Sequence, residues 1–236
     1  MRVETAVLDQ TPTLKRAYEI IALQRGRTLK QACVNLGIPW RPDFRNKGTC
    51  GLIGELILGL ENNGICGPDI QDIGVEVKYL PVYMDKRIPK EPTQITMIDF
   101  EKVLLERWEN ATIRKKIEKV FWVGYEVSRS RIAWEQSDYR LLGCHLEIMP
   151  PEDLEVCEHD WKAICAIIAR GHADELSCSM GRFIEPKTKG KNNQDVRRAP
   201  GRNGRTTMAR RRAFYFKKEY TRTRIIPAIL TSAVMP

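Results

Sequence analysis

Apolar and polar side chains change their period along this chain, and each change marks an element. Between Ile73 and Leu80 they alternate, with Val75 and Val77 on one face and Glu76 and Lys78 on the other. Successive side chains leave a pleated strand on opposite sides, so this stretch predicts a half-buried strand. Thr93–Phe100 and Leu141–Met149 predict further strands, the latter broken by Pro150-Pro151. The unbroken apolar run 120–123 predicts a central strand packed on both faces. Helical spacing governs elsewhere. Thr11 offers an N-cap and Pro12 a first helical position, with Leu14, Ala17, Ile20 and Ile21 repeating behind them until Gly26. Thr28 can cap a second helix over Leu29–Leu36, and Gly51–Leu60 reads as an apolar helix with one charge, Glu55. Glu101–Trp108 predicts a short helix and Pro151–Ala169 an amphipathic one. The stripe of the latter is Leu154, Cys157, Trp161, Ile164, Cys165 and Ile168, and Glu152 and Asp153 suit its dipole.

The connections read as a polar segment over Arg41–Lys47, a turn at Asn62-Asn63-Gly64 and a loose tail over 231–236. Lys189–Arg205, rich in Gly, Asn, Lys and Arg, is expected to order only on binding, and Thr206–Arg212 to form a short basic helix. The first two helices read as a supporting hairpin rather than a DNA reader, because the second offers mainly Lys30, Gln31 and Asn35.

Composition narrows the class. A chain of 236 residues, 42% hydrophobic and 29% charged, suits one globular domain or two lobes. No run of 18 apolar residues occurs and the first 20 residues carry charges throughout, which argues against a membrane span or secretory signal. Seven scattered cysteines without a Cys-x-x-Cys pair, and His145, His159 and His172 outside any ligand motif, predict reduced thiols in a cytoplasmic protein. The net charge of +9 is uneven: residues 187–224 hold fourteen Lys and Arg against Asp195 and Glu219, a net +12, leaving −3 for the rest. Apolar residues such as Phe214 and Phe216 interleave this segment, so a polyanion surface is favoured over a solvated tail.

Chemistry concentrates around the first strand. Glu76 and Lys78 are neighbours on one face, about 7 Å apart at ~3.3 Å per residue. Asp69 precedes them after Gly67-Pro68, a turn that can return it toward that face. Carboxylates with an amine match phosphodiester hydrolysis, in which oxygen ligands hold Mg²⁺ and a lysine orients water or stabilises the transition state. A surface strand with a Glu/Lys ion pair is the alternative from these residues alone. Glu55, a carboxylate in an apolar helix, calls for an ion, an amine or cleft water beside it.

Gly48-Thr49-Cys50-Gly51-Leu52-Ile53-Gly54-Glu55-Leu56-Ile57-Leu58-Gly59, Pro68-Asp69, Gly74-Val75-Glu76-Val77-Lys78 and Pro81-Val82 together resemble one family. It is that of the mismatch-repair endonuclease MutH and the type II restriction enzymes that cut at GATC, within the PD-(D/E)xK nucleases. The resemblance implies an α/β, restriction-endonuclease-like fold: a mixed β-sheet core flanked by helices, with two lobes around a DNA-binding cleft. A catalytic lobe over about 1–125 and a DNA-recognition lobe over about 126–230 would follow. It implies a Mg²⁺ site of Asp69, Glu76 and the Val77 carbonyl, with Glu55 assisting, Lys78 positioning water and Lys116 stabilising the site. Gly171-His172-Ala173-Asp174-Glu175-Leu176-Ser177 and Phe183–Gly190 resemble the restriction branch, where Lys187 corresponds to a DNA-contacting lysine and Glu185 departs from the expected basic or neutral residue. Arg212–Thr221 resembles the family's C-terminal strand and turn, and Tyr215 matches a tyrosine near the adenine whose methylation is sensed. Lys187, Lys189, Arg212, Tyr215, Lys217 and Lys218 are therefore the expected DNA contacts. The implied activity is nicking of the unmethylated strand at hemimethylated GATC, with a MutL-type protein as partner. Double-strand cleavage by a restriction enzyme and a non-enzymatic DNA-binding module are the alternatives.

Overall fold

Thr28 makes the clearest local decision in the chain. Its hydroxyl accepts from Gln31 N at 3.1 Å while its own N–H donates to Gln31 Oε1 at 2.9 Å, a capping box that starts a helix at Leu29. The computed structural model describes residues 12–40, 49–59, 67–129 and 138–232. The polar connector 41–47, the Asn62–Gly64 turn and the tail beyond Ser232 lie outside the described residues. In chain order the principal helices are α1 (Pro12–Gln24), α2 (Leu29–Asn35), α3 (Thr49–Leu58), α4 (Thr112–Lys115), α5 (Pro151–Ala169) and α6 (Ile226–Thr231). The strands are β1 (Glu76–Tyr83), β2 (Ile88–Pro89), β3 (Thr93–Met97), β4 (Lys119–Glu126), β5 (Arg140–Ile148), β6 (Ile184–Thr188), β7 (Val196–Pro200), β8 (Thr206–Arg210) and β9 (Arg212–Phe216).

These elements form two interleaved units rather than two consecutive halves. The first draws on Met1–Glu91, Lys119–Ile148 and Thr221–Pro236, and the second on Pro92–Glu118 and Met149–Tyr220.

In the first unit the sheet order is β2-β1-β4-β5, with β1 and β4 parallel and the outer pairs antiparallel. Leu14, Ile21, Leu29, Ala32 and Ile57 from α1, α2 and α3 share one core with Val77, Phe121, Val123 and Leu146 of the sheet. α6 takes another position on the sheet, where Gly124 lets it approach: a Cβ at Gly124 would lie 2.9 Å from Ile229 Cγ2. The run 120–123 is buried throughout, as a strand covered on both faces requires. This is the mixed sheet flanked by helices of a restriction-endonuclease-like α/β fold.

The second unit holds a β3-β9-β6 antiparallel sheet, the β7-β8 hairpin and α5. Asp160 of α5 is buried, yet its carboxylate accepts from the main-chain N–H groups of Arg182, Phe183 and Ile184 at 2.7–2.9 Å. Those bonds offset its desolvation and fix the entry to β6. Trp161 packs on Trp108 with ring centroids 5.8 Å apart.

Three local expectations change. The helix expected over Glu101–Trp108 is two 3₁₀ turns, Lys102–Leu105 and Trp108–Asn110; Leu105 is exposed, so no apolar stripe supports a longer helix. The basic helix expected over Thr206–Arg212 is instead a strand, paired with Val196–Pro200 from the segment expected to order only on binding. Long-range pairing overrides local composition there. The strand expected from Ile73 begins after a 3₁₀ turn at Gln71–Ile73 and a left-handed Gly74, and it continues to Tyr83. Cys33, Cys144 and Cys157 are buried free thiols, and burial pushes Cys33 up to about 11 and Cys144 to about 12. Among the described residues no helix is long and apolar enough to cross a membrane.

Candidate active site and nucleic-acid face

The site begins with a turn. Ile70 and Val75 bond each other in both directions, Ile70 N to Val75 O at 2.9 Å and Val75 N to Ile70 O at 3.1 Å. Gly74 closes the loop with φ of 66°, a conformation costly for other residues. The closed loop returns Asp69 to the strand, where its Oδ2 accepts from Val77 N at 2.8 Å. In an extended strand a residue's N–H and C=O leave by the same edge. The Val77 carbonyl therefore shares the edge that Asp69 occupies, away from β4. Pro81, two pleats further on, sits on the same edge, where its missing N–H costs no ladder bond and its carbonyl accepts from Lys90 N at 2.8 Å.

Glu76 and Lys78 do share a face, but it is not a solvated one. Glu76 is 2% exposed, and its Oε1 lies 2.6 Å from Lys78 Nζ, whose side chain is 17% exposed. A buried carboxylate needs such a partner, so the ion pair is a structural requirement of β1 as well as a chemical resource. Glu55, half-buried on α3, approaches from another element. The Tyr79 phenol reports its position: burial pushes that hydroxyl well above its ordinary value, and the Glu55 and Asp69 charges push further. Its oxygen is buried and has no hydrogen-bond partner among the described residues. α3 comes this close because Gly54 has no side chain; a Cβ there would lie 2.0 Å from Tyr79 Cε1. Tyr79 escaped the sequence reading, although its strand position beside Gly51 and Gly54 was the available signal. Lys119 also escaped it. Its Nζ donates to Ile73 O at 3.2 Å and ties the start of β4 to the 3₁₀ turn.

Asp69, Glu76, Val77 and Lys78 are thus gathered on one strand and its leading turn, and Glu55 stands near through Tyr79. Lys116 ends α4 in the second unit and is half-buried. Among the described residues no group of three His, Cys, Asp or Glu side chains forms a metal cage. Mg²⁺ does not require one: it keeps several waters and uses one or two carboxylates plus substrate phosphate. Exposed Asp69, the Val77 carbonyl and Glu76 are all hard oxygen donors and fit that ion.

A second cluster lies on the β3-β9-β6 sheet. Tyr215 pairs with Glu185 on one side and Gln94 on the other, so these three side chains share a face, and pleat alternation adds Lys187. Lys187 Nζ stands 5.8 Å from the Tyr215 ring centroid. Burial pushes the Glu185 carboxyl up, against the opposing pull of Lys187, Lys217 and Lys218. Lys189 and Lys218 are exposed, and Lys217 is half-buried. Arg212 differs from these. It alternates to the opposite face, is 7% exposed and donates to Asp174 O at 3.2 Å.

Comparison with known proteins joins these observations. The family model described as DNA mismatch repair enzyme MutH matches residues 58–160, which take in Asp69 to Lys78 and Lys116. The DNA mismatch repair protein MutH of Haemophilus influenzae (strain PittEE) is 28% identical over 198 residues, 83% of this chain and 86% of that protein. That of Shewanella sp. (strain W3-18-1) is 27% identical over 213 residues, 89% of this chain and 92% of its own length. That of Enterobacter sp. (strain 638) is 29% identical over 199 residues, covering 83% and 84%. With the mixed sheet and the Asp69–Glu76–Lys78 arrangement in place, the chain is similar to the MutH proteins along most of its length.

Proposed function

We propose that this chain is a Mg²⁺-dependent, sequence-specific DNA endonuclease of the MutH type. It nicks the unmethylated strand at hemimethylated GATC sites in methyl-directed mismatch repair, as a cytoplasmic enzyme activated by a MutL-type partner. The observation that carries the reading is the return of Asp69 to the Val77 N–H, which brings a second carboxylate to the strand bearing Glu76 and Lys78. Asp69, Glu76 and the Val77 carbonyl would hold the cation. Bound there, Mg²⁺ would supply a water of lowered pKa and offset charge on the scissile phosphate. Lys78 orients the attacking water and donates to the phosphate oxygens as their charge grows. Glu55 would accept a hydrogen bond from water at the site, and Lys116 would be a further lysine of the proposed catalytic set. Lys187, Lys189, Tyr215, Lys217 and Lys218 engage the duplex, with Tyr215 beside the adenine. Arg212 supports the β9 strand that carries Tyr215.

The test is cleavage of unmethylated, hemimethylated and fully methylated GATC duplexes with Mg²⁺, with and without a MutL-type protein. Nicks confined to the unmethylated strand support the proposal. Double-strand cuts at unmethylated sites would establish a restriction enzyme instead, and no cleavage under any condition would leave a DNA-binding module.

A further inference from the structure

The β7–β8 hairpin displays chemistry that the proposed site does not use. Its register pairs Arg198 with Met208, Val196 with Arg210 and Pro200 with Thr206 on one face. The other face pairs Arg197 with Ala209 and Ala199 with Thr207, and both alanines are buried. The first face is therefore the outward one. There Met208 is 54% exposed, opposite Arg198 and one pleat from Arg210, and both arginines are exposed. A long apolar side chain held out between two guanidinium groups has no packing purpose within the unit. Arg198 Nε lies 3.7 Å from Glu101, an exposed ion pair of the kind that contributes little and yields readily to phosphate.

The ribbon is held at both ends. At its turn, Arg202 and His172 converge on Glu175 at 3.2 and 2.6 Å, and Gly171 packs so closely that a Cβ would lie 2.4 Å from Arg202 N. At its base, Asp195 pairs with Arg197 at 2.9 Å, and its main-chain oxygen accepts from Arg211 N at 3.0 Å.

We propose that this outward face enters the major groove of duplex DNA, with Arg198 and Arg210 on backbone phosphates and Met208 against thymine methyl groups. The inference rests on the endonuclease reading and deepens it by adding a base-reading residue. A two-stranded ribbon fits the width of the B-DNA major groove, and the thymine C5 methyl is the apolar group displayed there. An unbranched, polarisable methionine adapts to such a methyl. The surrounding positive charge selects a polyanion, and the anchors at both ends keep the ordering cost of binding low.

The test is fluorescence anisotropy of the full chain, without Mg²⁺, on a GATC duplex and on the same duplex with deoxyuridine for thymine. The unsubstituted chain is expected to bind the deoxyuridine duplex about fourfold more weakly for each contacted methyl lost. Met208→Ala should weaken binding to the thymine duplex by a similar factor and show no further loss on deoxyuridine. Arg198→Gln and Arg210→Gln should each reduce the salt slope by about one, equally on both duplexes. Urea unfolding confirms that the exposed substitution leaves the fold intact. A Met208→Ala chain that keeps the full thymine preference, or an unsubstituted chain that has none, overturns the proposal. An unsubstituted chain that cuts DNA normally while Met208 proves silent sinks only the ribbon; one that binds neither duplex sinks the endonuclease reading.

Discussion

Asp69 Oδ2 accepts a 2.8 Å hydrogen bond from the Val77 N–H, so a residue eight positions away in sequence is fixed to the strand that carries Glu76 and Lys78. The bond makes Asp69 both an architectural and a chemical residue, and substitutions separate the two. Asp69→Asn keeps an acceptor and removes the charge, whereas Asp69→Ala removes both. Urea denaturation should find Asp69→Asn within about 0.5 kcal/mol of the parent and Asp69→Ala destabilised by about 1–2 kcal/mol.

The Glu76–Lys78 pair predicts non-additive stability. Lys78→Ala leaves a 2% exposed carboxylate without its 2.6 Å cation and should cost about 3 kcal/mol. Adding Glu76→Gln removes the buried charge and should recover at least half of that loss. A double-mutant cycle by chemical denaturation measures the coupling; strictly additive losses would show that the pair contributes nothing to the fold.

Tyr79 and Gly54 make opposite predictions from one contact. Tyr79→Phe deletes a buried hydroxyl that has no hydrogen-bond partner among the described residues, so stability should hold or rise by up to about 1 kcal/mol. Gly54→Ala drives a methyl into the ring at 2.0 Å and should cost about 1–3 kcal/mol. Thermal unfolding of the two variants, one up and one down, checks the packing of α3 on β1.

Glu185 predicts a pH dependence of DNA binding. Its carboxyl is held above the ordinary value of 4.5, chiefly by burial, so it keeps its proton to a higher pH than in the unfolded chain. Stability from this group is therefore fully present below 4.5 and is lost as pH rises through the folded value. Its ionisation also places a negative charge beside Lys187 and Lys217, so DNA affinity should fall over the same rise. Glu185→Gln should flatten that part of the affinity profile and bind more tightly at neutral pH. A titration of affinity against pH, parent beside variant, reads both effects.

The parts legible in sequence were those that local chemistry decides. Thr28 announced a helix start, the 120–123 run announced a central strand, and Asp69 to Lys78 showed its spacing. The rest depended on distant partners. Glu76 resembles a surface residue in an alternating strand until β2 and β4 flank β1 within the sheet. Thr206–Arg210 resembles a basic helix until Val196–Pro200 pairs with it. Arg212 and Tyr215 resemble equal members of one basic run, yet pleat alternation sends them to opposite faces and buries the arginine. Tyr79 gains its meaning from a glycine 25 positions earlier, through a contact made only when α3 packs on β1.

The central claim is that Asp69 holds the cation that makes the Glu76–Lys78 strand a nuclease site. Single-turnover nicking of a hemimethylated GATC duplex with Mg²⁺, the unsubstituted chain beside Asp69→Asn, tests it most directly. The account predicts loss of at least about 100-fold in rate for the variant, with DNA binding and urea midpoint unchanged. A folded Asp69→Asn chain that nicks at the full rate would contradict it.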